Sequence, residues 1–177
     1  MGFFEETLSR EDIFSGKVFE VHRDHVRLSD GHESIREVVE HSGGVCIAAI
    51  DQNRDVWLVR QFRYPMKMET LEVPAGKLEK GEQPLPAAIR ELGEETGLTA
   101  GKIEAIGTFY SSPGFCSETL HFYLATDLLM GEQHLDEGEL LNCVKMPLKK
   151  AVEMVLADQI KDGKTKSLIL LADRLID

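Results

Sequence analysis

The sequence predicts an α+β fold in which helices cover both faces of a mixed β-sheet, with a β-hairpin extension at the amino end. Strand-like segments come first, one amphipathic helix interrupts them, and two helices follow at the carboxyl end. One strand, residues 44–51 (GVCIAAID), is apolar at nearly every position and should be buried on both faces. With 177 residues, 42% of them hydrophobic, the chain is long enough to form one sizeable hydrophobic core and too short to form two.

Each element is predicted from residue alternation, helical spacing or turn residues. Ser29-Asp30-Gly31 forms the turn between the hairpin strands, residues 17–28 and 34–40, and a second turn at 51–53 follows the apolar strand. Pro147 opens the first terminal helix, and Asp162-Gly163 separates it from the last one. The remaining elements are strands at 56–62, 103–109, 119–125 and 140–146, and helices at 84–96, 148–158 and a final segment ending near 175.

The net charge of −11 narrows the classes of partner. It argues against a general nucleic-acid-binding protein, because the phosphate backbone would be repelled. A substrate that carries phosphate would need local cations, either metal ions or a few arginines. No apolar run approaches the length of a membrane span and the amino end is acidic, so no membrane partner is expected. Cys46, Cys116 and Cys143 lack the spacing of metal ligands, and we expect reduced thiols in a cytoplasmic protein.

The most informative stretch is residues 76–98, GKLEKGEQPLPAAIRELGEETGL. Pro84 suits the first turn of a helix and Gly97 suits its carboxyl end. Glu91 and Glu95 lie one turn apart on a common face, with Glu94 beside them. Stacked carboxylates repel one another, and a hard cation such as Mg²⁺ would relieve that repulsion. The apolar positions expected to face the core are Leu85, Ala88, Ile89 and Leu92.

A solvated helix face with an Arg90–Glu94 ion pair is the alternative for such a charged run. The full spacing argues against it: Gly76, five residues, Glu82, seven residues, Arg90-Glu91, an apolar residue, any residue, Glu94-Glu95, any residue, Gly97 and an apolar residue. This pattern resembles the Nudix box, and every fixed position matches. The resemblance implies a hydrolase that uses a divalent cation to split a nucleoside diphosphate linked to another group.

The Nudix resemblance also implies a domain organisation and a metal site. Residues 42–177 would form the Nudix α/β/α sandwich, and residues 1–41 would form the hairpin extension and join two subunits as a homodimer. Matched by position, the metal ligands would be the backbone carbonyl of Ala75 and the carboxylates of Glu91 and Glu95. The expected ion is Mg²⁺, with Mn²⁺ as a substitute.

The remaining box residues receive supporting roles from the same resemblance. Arg90 would orient the catalytic glutamates with its planar donor fork, and Glu94 would be a further or outer metal ligand. Gly76 would let the chain turn tightly, so that the Ala75 carbonyl faces the metal. Glu82 is expected to brace the loop or hold an outer metal rather than to act as the base.

A second resemblance narrows the family. Pro113 lies sixteen residues after Gly97 within SSPGFCSE, residues 111–118, as is typical of the ADP-ribose pyrophosphatase subfamily. VRQFRYP at 59–65 and LEVPAGKLE at 71–79 agree with it. This implies Mg²⁺-dependent hydrolysis of ADP-ribose to AMP and ribose 5-phosphate. The alternatives are a related Nudix hydrolase acting on another nucleotide sugar, dinucleotide or nucleoside triphosphate, and a non-catalytic ADP-ribose sensor, which the intact box disfavours.

The subfamily resemblance also implies a general base and substrate contacts. In the acidic loop at 135–139, Glu137 is expected to be the base and Glu139 to contact metal, although the order of these two roles stays open. An ordinary solvated loop is the alternative. The expected substrate contacts are Arg63 to phosphate, Pro113 in the marker loop and Glu118 near the ribose.

Two further residues, Arg36 and Glu37, match positions that reach the partner subunit's active site in this subfamily. An exposed strand face is their alternative reading.

Overall fold

The computed structural model describes residues 2–135 and 140–176, which contain ten strands and three helices and confirm the α+β class. These residues separate into two compact units. The first contains the described residues up to Gly43 together with Tyr110–Thr119. The second contains Gly44–Phe109 together with the described residues from Leu120 onward.

The amino-terminal extension is an antiparallel sheet, as expected, but it has three strands rather than two. In order across the sheet they are β1 (Glu5–Ser15), β2 (Phe19–Leu28) and β3 (Glu33–His41). The sequence did not reveal β1, because nearly all of its side chains are exposed and no apolar face alternates with a polar one. This strand is therefore specified by pairing with β2, across two register shifts.

The second unit is built on a mixed sheet of seven strands. They are β4 (Gly44–Ile50), β5 (Asp55–Arg63), β6 (Met68–Glu72), β7 (Ala75–Lys77), β8 (Leu98–Tyr110), β9 (Thr119–Met130) and β10 (Leu141–Pro147). The strands β10, β5, β4, β9 and β8 lie side by side in that order, β6 pairs with β5, and β7 pairs with β4. β4 and β9 are parallel, whereas β4 and β5 are antiparallel. The short strands β6 and β7 were not predicted, and β8 and β9 are longer than predicted.

Helices cover both faces of this sheet, as the predicted α/β/α sandwich requires. They are α1 (Pro84–Thr96), α2 (Leu148–Leu156) and α3 (Gly163–Leu175). Strand β4 is buried at every position, and its side chains alternate between the two layers. Those that join the cluster with α1 are Val45, Ile47 and Ala49, and those that join α2 and α3 are Cys46, Ala48 and Ile50. None of the three helices in the described chain has the length and apolar character that a membrane crossing requires.

The box helix α1 has the predicted bounds, but its buried face differs in part from the prediction. It begins at Pro84 and ends against Gly97, whose left-handed backbone (φ 71°) suits glycine. The buried residues of the helix are Ala87, Ala88, Leu92, Glu95 and Thr96. Leu85 and Ile89, which were expected to face the core, are exposed. The small alanine side chains let the helix approach the sheet closely. Burial of the Leu92 side chain contributes about 2 kcal/mol to the stability of the fold.

Candidate active site

The first two residues of β7, Ala75 and Gly76, lie against the carboxyl half of α1, and this contact forms the candidate metal site. The Ala75 N–H donates a hydrogen bond of 2.9 Å to Glu95 Oε2. The Glu95 carboxylate is buried, with the residue only 4% exposed. A Cβ atom added to Gly76 would lie 1.9 Å from the Glu91 carboxyl carbon, so the Gly76 backbone is packed directly on that group. The Ala75–Gly76 backbone therefore touches both glutamates predicted to bind metal.

This packing corrects the reason given for Gly76. We expected its flexibility to permit a tight turn, but Gly76 lies within β7 and is absent from the positions with left-handed backbone. Glycine is required there because the Glu91 carboxylate occupies the space that a side chain would fill. The requirement comes from a close approach between segments and not from backbone conformation.

Arg90 binds three glutamates of the box at once. Its Nε and Nη2 donate to the Glu82 carboxylate at 3.0 and 2.9 Å, and its Nη1 donates to Glu91 Oε1 at 2.8 Å and to Glu94 Oε2 at 2.9 Å. The hydrogen bond with Glu82, followed by the bonds with Glu91 and Glu94, raises the pKa of the Arg90 guanidinium against the effect of burial. Glu82 also accepts the Glu79 N–H at 2.9 Å, which ties the loop before α1 to this cluster.

The residues of this site fit a hard divalent cation. Two carboxylates and a backbone carbonyl are oxygen donors, which Mg²⁺ and Mn²⁺ prefer. The described residues contain no cluster of three His, Cys, Asp or Glu side chains that could hold a metal. The predicted set has two such side chains there, Glu91 and Glu95, and its third donor is the Ala75 carbonyl. Its predicted fourth member, Glu139, lies outside the described residues.

Glu137 also lies outside the described residues, so the predicted general base is a sequence-based expectation. The chain that leads towards it is attached to the carboxyl end of α1. Gly131 N–H donates to Gly97 O at 2.7 Å, and His134 N–H donates to Glu94 O at 3.1 Å. The Gln133 side-chain amide donates to Glu95 O at 2.5 Å. The loop stem therefore begins at the backbone of the box glutamates.

A buried carboxylate, Glu72, was missed by the sequence analysis. It is 2% exposed and receives two bonds of 2.7 Å from Arg63, one from Lys164 and one of 2.6 Å from Thr70. Burial alone would raise the pKa of the Glu72 carboxyl, but the hydrogen bonds from Arg63 and the charge of Lys164 outweigh it and lower the pKa to about 2. The segment LEVPAG contained this residue, but no local spacing links it to Lys164.

Arg63, the predicted phosphate contact, is thus engaged through Nε and Nη2. Its side chain remains 42% exposed.

The other predicted substrate residues lie in the first unit. Arg36 Nε and Nη2 donate to Glu5 at 2.8 and 2.6 Å, and Nη1 donates to Ser34 Oγ and Ile35 O. Glu37 accepts from Arg23 at 3.5 Å. Two residues of the marker loop also belong to this unit, where Pro113 lies in a turn closed by a 3.1 Å bond from Phe115 N–H to Ser112 O, and Glu118 lies 3.7 Å from His41.

Comparison with known protein families identifies the class. Residues 40–169 match the NUDIX domain, and residues 5–39 match the nucleoside diphosphate sugar hydrolase N-terminal domain. The chain therefore belongs to the Nudix family and is a Nudix pyrophosphohydrolase. Hydrolases of this family generally use divalent metal cations.

Individual relatives narrow the comparison. The chain is 43% identical over 163 residues to the ADP-ribose pyrophosphatase of Bacillus subtilis. This alignment covers 91% of this chain and 88% of the relative. It is 41% identical over 165 residues to the methanol dehydrogenase activator of Bacillus methanolicus, in an alignment that covers 92% of this chain and 89% of that relative. A crystal structure of an ADP compounds hydrolase shares the fold, with a TM-score of 0.84 over 97% of this chain and 93% of that chain at 23% identity.

Proposed function

We propose that this Nudix hydrolase cleaves the pyrophosphate bond of ADP-ribose, with Mg²⁺ as the cation, and releases AMP and ribose 5-phosphate. The substrate follows from the 43% identity to an ADP-ribose pyrophosphatase over most of both chains. The amino-terminal match to a nucleoside diphosphate sugar hydrolase domain supports the same substrate class. All three cysteines are free thiols, and we place the activity in the reducing cytoplasm.

The observation that carries the chemistry is the packing of the Ala75–Gly76 backbone on Glu91 and Glu95. Together these groups would hold the cation through two carboxylates and the Ala75 carbonyl. When bound, the cation neutralises charge on the pyrophosphate oxygens and acidifies water. Arg90, which donates to the Glu91 and Glu94 carboxylates, would orient them towards the cation.

The reaction needs a carboxylate that accepts a proton from the attacking water. The water oxygen bonds to one phosphorus as its proton passes to the base. The bond between that phosphorus and the bridging oxygen breaks, and the other phosphate leaves with the bridging oxygen and the electron pair of that bond. Glu91 and Glu95 are committed to the cation, so we assign the base to Glu137 and a cation contact to Glu139. A base on a loop can enter the site when the substrate is bound.

Substrate contacts are proposed for five residues. Arg63 would meet phosphate through Nη1, because Nε and Nη2 hold Glu72. Glu118 and the Pro113 turn would lie on the ribose side. Arg36 and Glu37 would reach the partner subunit's substrate, which requires Arg36 to exchange Glu5 for the new contact.

We also propose a homodimer formed through the amino-terminal sheet. The valines at positions 18, 21, 26 and 38 do not form the apolar surface for such a contact, because Val26 is buried and only Val18 of the four is exposed. Other apolar side chains replace them: the described sheet exposes Phe14, Phe19 and Ile35, and the first two rings are 5.7 Å apart. Mixing Arg36→Ala with Glu95→Gln subunits tests a shared site, because only a mixed dimer could regain activity. A fully active monomer in sedimentation would refute the dimer.

The substrate is tested by measuring kcat/KM for ADP-ribose, GDP-mannose and a nucleoside triphosphate, each with and without Mg²⁺. Discrimination between substrates is contained in that ratio. We expect ADP-ribose to be the best substrate, with AMP and ribose 5-phosphate as products and no turnover after chelation. A much higher kcat/KM for the triphosphate or the GDP-sugar would refute the substrate while leaving the Nudix chemistry intact.

A further inference from the structure

The segment from Glu72 to Gly76, which carries the Ala75 carbonyl, is held by hydrogen bonds from three elements. Val73 N–H donates to Thr165 Oγ1 of α3 at 3.0 Å. Ile47 N–H of β4 donates to Pro74 O at 2.9 Å. Ala75 N–H donates to Glu95 Oε2 of α1 at 2.9 Å. The position of Ala75 relative to Glu95 therefore depends on how firmly the two preceding residues are fixed.

The contact with α3 depends on the orientation of the Thr165 hydroxyl. Asp162 caps the helix by accepting the Thr165 N–H at 2.9 Å, and it also accepts the Thr165 hydroxyl at 2.5 Å. Because the hydroxyl donates to Asp162, its lone pairs are available to the Val73 N–H. Val73 and Thr165 are both fully buried, so no solvent would replace this bond.

Lys164 reinforces the same contact. Its ammonium pairs with the Glu72 carboxylate and lies 3.0 Å from Asp162 Oδ2, and only 13% of its side chain is exposed. It therefore joins the residue before Val73 to the residue that orients Thr165. The two ends of this connection, Glu72 and Lys164, are 92 residues apart in the chain.

We propose that Thr165 and Lys164 are positioning residues for the cation site. Acting through Val73 and Pro74, they hold Ala75 where its N–H fixes Glu95 and its carbonyl completes the donor set. The inference rests on the proposed function, since it assumes that Ala75, Glu91 and Glu95 bind the cation. Neither Thr165 nor Lys164 is assigned a contact with cation or substrate.

The physical consequence of losing the Thr165 hydroxyl is local. A valine in its place keeps the shape of the side chain but leaves the buried Val73 N–H without an acceptor. The segment is then expected to shift towards another partner, and the shift passes through Pro74 to Ala75. A serine keeps the hydroxyl and should keep the segment in place.

The test measures Mn²⁺ binding in the absence of substrate, from the electron paramagnetic resonance signal of free Mn²⁺. Thr165→Val should bind Mn²⁺ about five- to tenfold more weakly than wild type, the effect of about one buried hydrogen bond. Thr165→Ser should stay within about twofold. Leu168→Ala, on the same helix but packed in the apolar core, is the matched control. It should lower stability to urea and leave Mn²⁺ affinity unchanged at temperatures where all variants are folded.

Two results would overturn the proposal: wild-type Mn²⁺ affinity in Thr165→Val, or equal weakening in Leu168→Ala and Thr165→Val. Lys164→Gln provides a second variant of the same connection and should also weaken Mn²⁺ binding. Glu95→Gln separates this inference from the proposed function. If Glu95→Gln binds Mn²⁺ as tightly as wild type, the cation site itself is wrongly assigned. If Glu95→Gln loses Mn²⁺ binding while Thr165→Val and Lys164→Gln keep it, only the positioning role is refuted.

Discussion

Replacing Gly76 by alanine should damage the cation site while leaving the fold almost intact. The new Cβ would lie 1.9 Å from the Glu91 carboxyl carbon, whereas carbon atoms pack at roughly 3.5 Å, so the carboxylate must move by about 1.5 Å. Glu91 can move because the clash involves the end of a flexible side chain. The displaced Glu91 carboxylate would lose its contact with the Ala75–Gly76 backbone and its 2.8 Å hydrogen bond from Arg90.

The magnitude follows from that displacement. A misplacement of about 1 Å in a catalytic arrangement costs about 100-fold, or about 2.7 kcal/mol of transition-state stabilisation. We therefore expect kcat/KM for ADP-ribose to fall about 100-fold and the Mg²⁺ requirement to rise, while the free energy of unfolding changes by about 1 kcal/mol or less. The assays are initial rates against Mg²⁺ concentration and urea unfolding.

Gly93→Ala is the matched control for this experiment. Gly93 lies in the same helix between Glu91 and Glu95, and an added Cβ would meet nothing closer than Leu98 O at 3.9 Å. It should retain activity and gain about 0.5–1 kcal/mol of stability from helix propensity. Wild-type kcat/KM and Mg²⁺ dependence in Gly76→Ala would show that Glu91 does not need its present position, and the assigned site would be refuted.

Three further predictions concern individual carboxylates. Glu95→Gln should abolish most turnover, costing several kcal/mol of transition-state stabilisation with the fold retained, and near-normal Mg²⁺-dependent rates would contradict the metal assignment. Glu137→Gln should lower kcat by about 10²–10⁴-fold. Glu139→Gln should lower kcat and also raise the Mg²⁺ concentration needed for half-maximal rate. If both variants keep the wild-type kcat, neither glutamate has a catalytic role. Because the folded pKa of Glu72 is lowered to about 2 from 4.5, its contribution to stability is present above about pH 4.5 and is lost as pH falls towards 2, amounting to about 3 kcal/mol. Urea unfolding between pH 6 and 3 should therefore show a shallower loss of stability in Glu72→Gln than in wild type, and equal slopes would contradict the lowered pKa.

The sequence determined the features that depend on neighbours along the chain. The box helix was predicted with its correct bounds, because Pro84, Gly97 and the four-residue spacing of Glu91 and Glu95 are local signals. The apolar run of β4 predicted burial on both faces, and its alternating contacts with α1 on one side and α2 and α3 on the other confirm it. The fold class, and the family resemblance carried by the box, followed from such signals.

Tertiary structure decided the features that depend on residues distant in the chain. The exposed, charged strand β1 is a strand only because β2 pairs with it, and Gly76 is needed only because Glu91 packs on it. Of the four positions whose helical period predicted a core face, Ala88 and Leu92 are buried, whereas Leu85 and Ile89 are exposed. Ala87, which was not predicted, is buried in their place. Glu72 pairs with Lys164, which is 92 residues away in the chain, and no local sequence pattern predicts such a contact. Local spacing determines which side chains share a face, whereas the packing of segments against one another decides which face is buried and which charges meet.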